Sequence, residues 1–96
     1  MSTLEKLRAR RDEIYRIAKQ YGASNIKVFG SVARGDDTEE SDIDFLVDLE
    51  PDRSLLEHAS LIVALEDLLH KKVDVATDRI LKTYVKENAL AEAVPL

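Results

Sequence analysis

The stretch from Ile43 to Leu49, Ile-Asp-Phe-Leu-Val-Asp-Leu, restricts the fold more than any other part of the chain, because five of its seven residues are apolar and Pro51 follows directly after Glu50. Residues of this kind favour a pleated, half-buried strand, and proline stops the ladder. Side chains alternate along a strand, so Ile43, Phe45 and Val47 share one face. Asp42 and Asp44 project from the other, about 7 Å apart along the chain. One side of this strand must therefore be covered by hydrocarbon, while the other carries charge.

The segments around it supply the cover. From Thr3 to Tyr21 the apolar residues Leu4, Leu7, Ile14, Ile17, Ala18 and Tyr21 fall on one helical face. Ser2 or Thr3 can cap the start, and Gly22 can close the end in a left-handed conformation. Ile26 to Phe29 is a short β-prone run stopped by Gly30. Ser31 to Arg34 allows one helical turn. Ser54 to His70 is a second long helix, with Leu55, Leu56, Ala59, Ile62, Leu65 and Leu69 available for a core face. Val73 to Ala76 is a third strand and Ile80 to Ala93 a last helix. The resulting order, α-β-α-β-α-β-α over a single domain spanning residues 1–96, predicts an α/β or α+β architecture with a small sheet flanked by helices.

Size and charge narrow the function. The 96 residues suit one modest core, and 45% hydrophobic with 34% charged residues is globular composition. A net charge of -5 disfavours general binding to nucleic-acid backbones. There is no cysteine, which excludes disulfides and thiolate metal sites. No apolar run is long enough to span a bilayer, and the charged, amphipathic N-terminus lacks a signal-peptide core. The expected compartment is the cytoplasm.

The chemistry concentrates between Val28 and Asp48, in VFGSVARGDDTEESDIDFLVD. Two carboxylates side by side resist ionising unless a cation stands between them. Hard oxygen donors of this kind suit Mg²⁺, which also binds substrate phosphates. The alternative is a solvated edge strand that binds nothing. Gly30 and Ser31 follow a strand and open a helical turn, a geometry that suits phosphate oxygens as well as an ordinary serine cap. Arg34 can contact a phosphate or brace the loop through an acidic side chain, and Ser41 can hold the loop locally. Asp74 lies between Val73 and Val75, which take the opposite face. If its strand neighbours that of Asp42 and Asp44, three carboxylates meet on one face, the equipment of a two-metal phosphoryl-transfer site.

These residues together resemble a known signature. Gly-Ser-Val-Ala-Arg-Gly followed by Ser-Asp-Ile-Asp-Phe-Leu-Val-Asp is similar to the motif of the DNA polymerase β-like nucleotidyltransferases, and most of all to their minimal members. Gly30, Ser31, Arg34, Gly35, Ser41, Asp42, Asp44 and Asp74 all match, over roughly Ile26 to Ala76. The resemblance implies a mixed sheet flanked by helices, Mg²⁺ at Asp42, Asp44 and Asp74, and phosphates over Gly30 and Ser31. It implies ATP as donor and AMP transferred to a hydroxyl.

The chain ends about twenty residues after Asp74, which leaves little to build an acceptor pocket. The acceptor is then expected to arrive on another protein. Stand-alone members of this size resemble antitoxins whose partner is a HEPN-domain toxin, modified on a tyrosine. The competing reading is a binding module that neutralises its partner by contact alone. A calcium loop fails on spacing, since the acids run straight into Phe45-Leu46-Val47 with no central glycine. His58 and His70 are expected in surface or helix-end roles, and Tyr15, Tyr21 and Tyr84 in core or interface roles.

Overall fold

The computed structural model describes residues 1–77 and 92–96. Within them the chain forms α1 (Thr3–Ala9), α2 (Arg11–Gln20), β1 (Ala23–Phe29), α3 (Gly30–Arg34), β2 (Ile43–Leu49), α4 (Leu55–Leu69), β3 (Val73–Thr77) and β4 (Val94–Pro95). The sheet runs β3-β2-β1-β4. β1 is antiparallel to β2 and β4, whereas β2 and β3 are parallel, joined by a crossover that contains α4. The mixed sheet flanked by helices is the expected architecture. The expected last helix, Ile80 to Ala93, falls almost entirely outside the described residues, as does Tyr84.

The core has a simple origin. The inward sides of β1, β2 and β3 contribute Ile26, Val28, Ile43, Phe45, Val47, Val73 and Val75, all buried. Leu7, Ile14, Ala18, Leu61 and Leu65 meet them from the helices in one cluster. Among the described residues no buried side-chain polar atom lacks a partner. No helix among them is long and apolar enough to cross a membrane.

Three expectations change. The first helix is two helices, broken at Arg10 (φ -108, ψ 19). The Arg10 guanidinium donates to the Leu68 carbonyl at 2.9 Å and pairs with Glu13 at 3.2 Å. It thereby satisfies a carbonyl at the end of α4 that the helix itself leaves open. Apolar periodicity continues across the break, so the pattern did not mark it.

The second change concerns α4. Leu55 and Leu56 are 87% and 76% exposed, and Ala59 is exposed too, while the buried positions are Leu61 and Leu65. This helix is apolar on nearly every side, so periodicity alone could not choose its inner face. The third is β4, which pairs Val94 with Val28 and whose neighbour Leu96 is buried and donates its N–H to the Ile26 carbonyl. Two residues are too few to give a strand pattern.

Ends and turns follow local chemistry. Ser2 and Ser54 accept from the N–H groups of Glu5 and Glu57 at 3.1 and 3.3 Å, each the first half of a capping box. Gly22 ends α2 at φ +75 and donates to the Lys19 carbonyl. His58 contacts the Val75 carbonyl through Nε2 at 2.8 Å, and Glu66 accepts from the Val73 N–H at 3.1 Å. Both contacts fasten β3 to α4 and so position Asp74.

Candidate active site

The two inner strands place the acids. In the parallel ladder Asp44 is the register partner of Asp74, flanked by the pairs Ile43–Val73 and Phe45–Val75. Register partners point to the same face, and neighbouring strands lie about 4.8 Å apart. The flanking residues are buried toward the helices. Asp44 and Asp74 therefore both project from the opposite face. Asp42 stands one position before β2 and is exposed. Its charge still acts on Asp44.

That action is visible in the Asp44 carboxyl, which is held above the usual carboxylate range. Partial burial contributes most, followed by the negative charges of Asp74 and then Asp42, while Arg34 opposes them. The three acids thus share one electrostatic environment. Among the described residues no three acidic or histidine side chains enclose a volume that would grip a metal ion unaided. The set is open and made only of hard oxygens. That fits Mg²⁺, which is held by one or two carboxylates and completes its octahedron with water and phosphate oxygens. It does not fit a closed structural metal centre.

Because folding raises this carboxyl, the folded chain takes up its proton more readily than the unfolded chain. The favourable contribution is present in acid and disappears as pH rises through the folded value. Asp44→Asn should therefore raise the melting temperature at neutral pH in chelator, and the gain should shrink as pH falls. A melting curve lowered at neutral pH would show Asp44 to be structural.

Gly30 sits directly against Asp44. It is the register neighbour after Phe29, which pairs with Asp44, and it has φ +73. A Cβ on Gly30 would collide with Asp44 Oδ2 and lie 3.3 Å from its Cγ. Backbone conformation and close approach both demand glycine here. Gly30→Ala should cost about 1–2 kcal/mol in backbone strain and displace the Asp44 carboxylate. Chemical denaturation measures the first effect, and lost divalent-dependent nucleotide binding the second.

Ser31 follows within α3, whose start has no side-chain cap. Gly35 closes the turn at φ 83, with its N–H on the Ser31 carbonyl at 2.9 Å. Arg34 braces the loop through acids: Nε donates to Asp36 at 3.2 Å and Nη1 to Glu92 at 2.9 Å. The Asp36 and Glu92 bonds, in that order, raise its pKa. The contact with Glu92 spans 58 positions and carries no local sequence signal. Ser41 accepts from the Thr38 N–H at 2.9 Å, the local loop contact that its position suggested. Glycine, serine and the acids thus gather at one end of β1, β2 and β3. Arg34 and Ser41 stabilise the loops beside them.

A separate cleft of about 800 Å³ lies between α1, the 36–39 loop and the end of α4, lined in part by Lys6, Arg10, Ile43 and Lys71. Asp42, Asp44 and Asp74 do not line it. The acids lie on a sheet face whose next pair, Leu46 and Ala76, is buried with Phe29 and Ala93 packed against it, and it is the chemistry of the acids rather than concavity that marks the site.

Comparison with known proteins identifies the family and the fold. The family model described as a nucleotidyltransferase domain matches residues 5–96. Protein adenylyltransferase MntA of Thermococcus cleftensis is 40% identical over 78 residues, covering 81% of this chain and 79% of its own. A solved structure assigned as a minimal nucleotidyltransferase superposes with a TM-score of 0.84 at 48% identity, covering 100% of this chain and 97% of that one. A crystal structure of a toxin–antitoxin with AMP-PNP shares the fold, with a TM-score of 0.74 at 21% identity over 88% of this chain and 69% of that one.

Proposed function

The chain belongs to the nucleotidyltransferase domain family, and from that premise we propose that it is a Mg²⁺-dependent protein adenylyltransferase that moves AMP from ATP to a hydroxyl of a partner protein. The observation that carries this reading is the register of Asp44 with Asp74, with Gly30 pressed against the Asp44 carboxylate. The Thermococcus relative named as a protein adenylyltransferase supports the reaction class. The toxin–antitoxin likeness supports a toxin as partner. A HEPN-domain toxin modified on tyrosine is the partner that the resemblance to small stand-alone members of the family implies.

Asp42, Asp44 and Asp74 would hold Mg²⁺ and catalyse transfer, and Gly30 and Ser31 would receive the outer phosphates. When bound, Mg²⁺ neutralises the triphosphate and favours ionisation of the attacking hydroxyl. Gly30, lacking a side chain, lets the Asp44 carboxylate lie against the backbone, and α3 would offer the phosphates N–H groups that no side chain caps. The carboxylates repel a bare triphosphate, so the chain alone discriminates against metal-free ATP. Arg34 lies close enough to Asp44 to temper its charge, and its pairs with Asp36 and Glu92 hold the loop that presents Ser31. Ser41 holds the loop that precedes Asp42.

Calorimetric titration of ATP tests the site apart from turnover. Affinity should rise by about tenfold or more when Mg²⁺ replaces chelator, since each tenfold step needs only about 1.4 kcal/mol. Equal affinity in chelator would contradict the site. Neutralisation by contact alone is the second reading, favoured by the exposed leucines of α4. Asp44→Asn separates the two: it should preserve a contact and abolish a transfer.

A further inference from the structure

We infer that His58 and Glu66 of α4 are positioning residues for nucleotidyl transfer, a role that rests on the proposed reaction: their side chains hold the outer edge of β3 on either side of Asp74 and so set where its carboxylate stands relative to Asp44. Each acts through the strand and not on the substrate.

The backbone pairing shows why this edge needs holding. Among the described residues β3 is the outermost strand, paired with β2 on one side. Ile43 donates its N–H to the Lys72 carbonyl at 2.9 Å. In a parallel ladder, alternate residues of a strand turn their backbone groups toward the same neighbour. Lys72 faces β2, so Asp74 does too, while the N–H and C=O groups of Val73 and Val75 point outward. Glu66 Oε2 accepts the Val73 N–H at 3.1 Å, and His58 Nε2 meets the Val75 carbonyl at 2.8 Å. A carbonyl only accepts, so Nε2 carries the proton. The later helix residue meets the earlier strand residue, as a crossover helix running back along the sheet requires.

The two contacts bracket Asp74, which is exposed and is the register partner of Asp44. Water would satisfy an outward N–H or carbonyl almost as well as a side chain does. What water cannot do is fix a strand against a helix. His58 and Glu66 are both half-buried, and the buried Leu61 and Leu65 lie between them in α4 and anchor that helix in the core. The edge of β3 is thereby tied to the most rigid part of the domain. That matters for catalysis, because misplacing a reacting group by about 1 Å can cost about a hundredfold in rate.

The test uses the full chain with His58→Ala and Glu66→Ala, which remove the contacts, and His58→Gln and Glu66→Gln, whose amides can still donate to Val75 and accept from Val73. Asp67→Ala, at an exposed position of the same helix, is the control. In the metal-free protein, hydrogen exchange followed by NMR should show the Asp74 amide exchanging about tenfold faster or more in both alanine variants. The glutamine variants and the control should stay close to wild type. The melting temperature of the alanine variants should fall by less than about 8 °C, so they remain folded. With ATP and Mg²⁺ they should lose about tenfold to a hundredfold in kcat, with little change in the KM for ATP, and glutamine should restore most of the rate. If the wild-type chain transfers no AMP, the proposed reaction fails by itself, and exchange at Asp74 still decides whether these two side chains hold it. Unchanged exchange at Asp74 in the alanine variants would overturn the inference. So would faster exchange with an unchanged kcat, which would make the contacts merely structural, or glutamine variants no better than alanine.

Discussion

Asp44→Asn is expected to lower AMP transfer by about three orders of magnitude while the chain stays folded and still holds its partner. The size follows from the position. Asp44 is the carboxylate that the others surround: it pairs in register with Asp74, touches the space beside Gly30, and feels the charge of Asp42. An asparagine keeps the shape and removes the charge that a divalent ion needs. Electrostatic groups at a reacting centre are typically worth several kcal/mol, and each 1.36 kcal/mol is about tenfold in rate. The same exchange relieves repulsion in the metal-free protein, so activity and melting temperature should move in opposite directions. A rate within about tenfold of wild type would remove Asp44 from the chemistry. A collapse of both rate and stability would make it a structural residue.

Phe45→Ala should have the largest effect on stability. Phe45 is 0% exposed and sits in the ladder between Val28 and Val75, beneath the helices. Emptying such a site costs about 3–5 kcal/mol, because neighbours relax only partly into the cavity. A domain of this length has about 5–15 kcal/mol to lose, and each kcal/mol is worth about 4–8 °C. The melting temperature should therefore fall by roughly 12–40 °C, or the variant should fail to fold. Phe45→Leu keeps most of the volume and should cost under about 1.5 kcal/mol, which keeps the test readable if the alanine variant is lost. Thermal unfolding followed by circular dichroism checks both. A shift below about 4 °C for alanine would mean that β2 is not the centre of the core.

These two neighbours show why so much of the site was legible. The alternation Asp42-Ile43-Asp44-Phe45 states at once which side is packed and which side is charged, because strand side chains have a period of two. Val73-Asp74-Val75 repeats the statement on β3. What the alternation did not contain was adjacency: only the β2–β3 register sets Asp44 beside Asp74. Gly30 was legible as a turn and a possible phosphate contact. Its approach to Asp44 needed the antiparallel pairing of β1 with β2.

Other features had no signal to read. At the break, Arg10 bonds the carbonyl of Leu68, 58 residues away. The Arg34–Glu92 pair is equally remote, so an arginine beside a phosphate and an arginine bracing a loop looked alike. The inner face of α4 was misassigned in its first turns, at Leu55, Leu56 and Ala59, for a different reason. With leucine, isoleucine, valine or alanine on almost every side, burial had to be decided by packing, and it chose Leu61 and Leu65 over Leu55 and Leu56. Of the residues that periodicity placed on the core face, Leu65 is buried and Ile62 and Leu69 pack against the core, while Leu55, Leu56 and Ala59 are exposed.

The most direct measurement is the intact mass of the partner protein that co-purifies with this chain, before and after adding ATP and Mg²⁺. The account predicts a rise by one adenylyl group, present with the wild-type chain and absent with Asp44→Asn. No rise with a chain that binds ATP and Mg²⁺, or the same rise with Asp44→Asn, would contradict it.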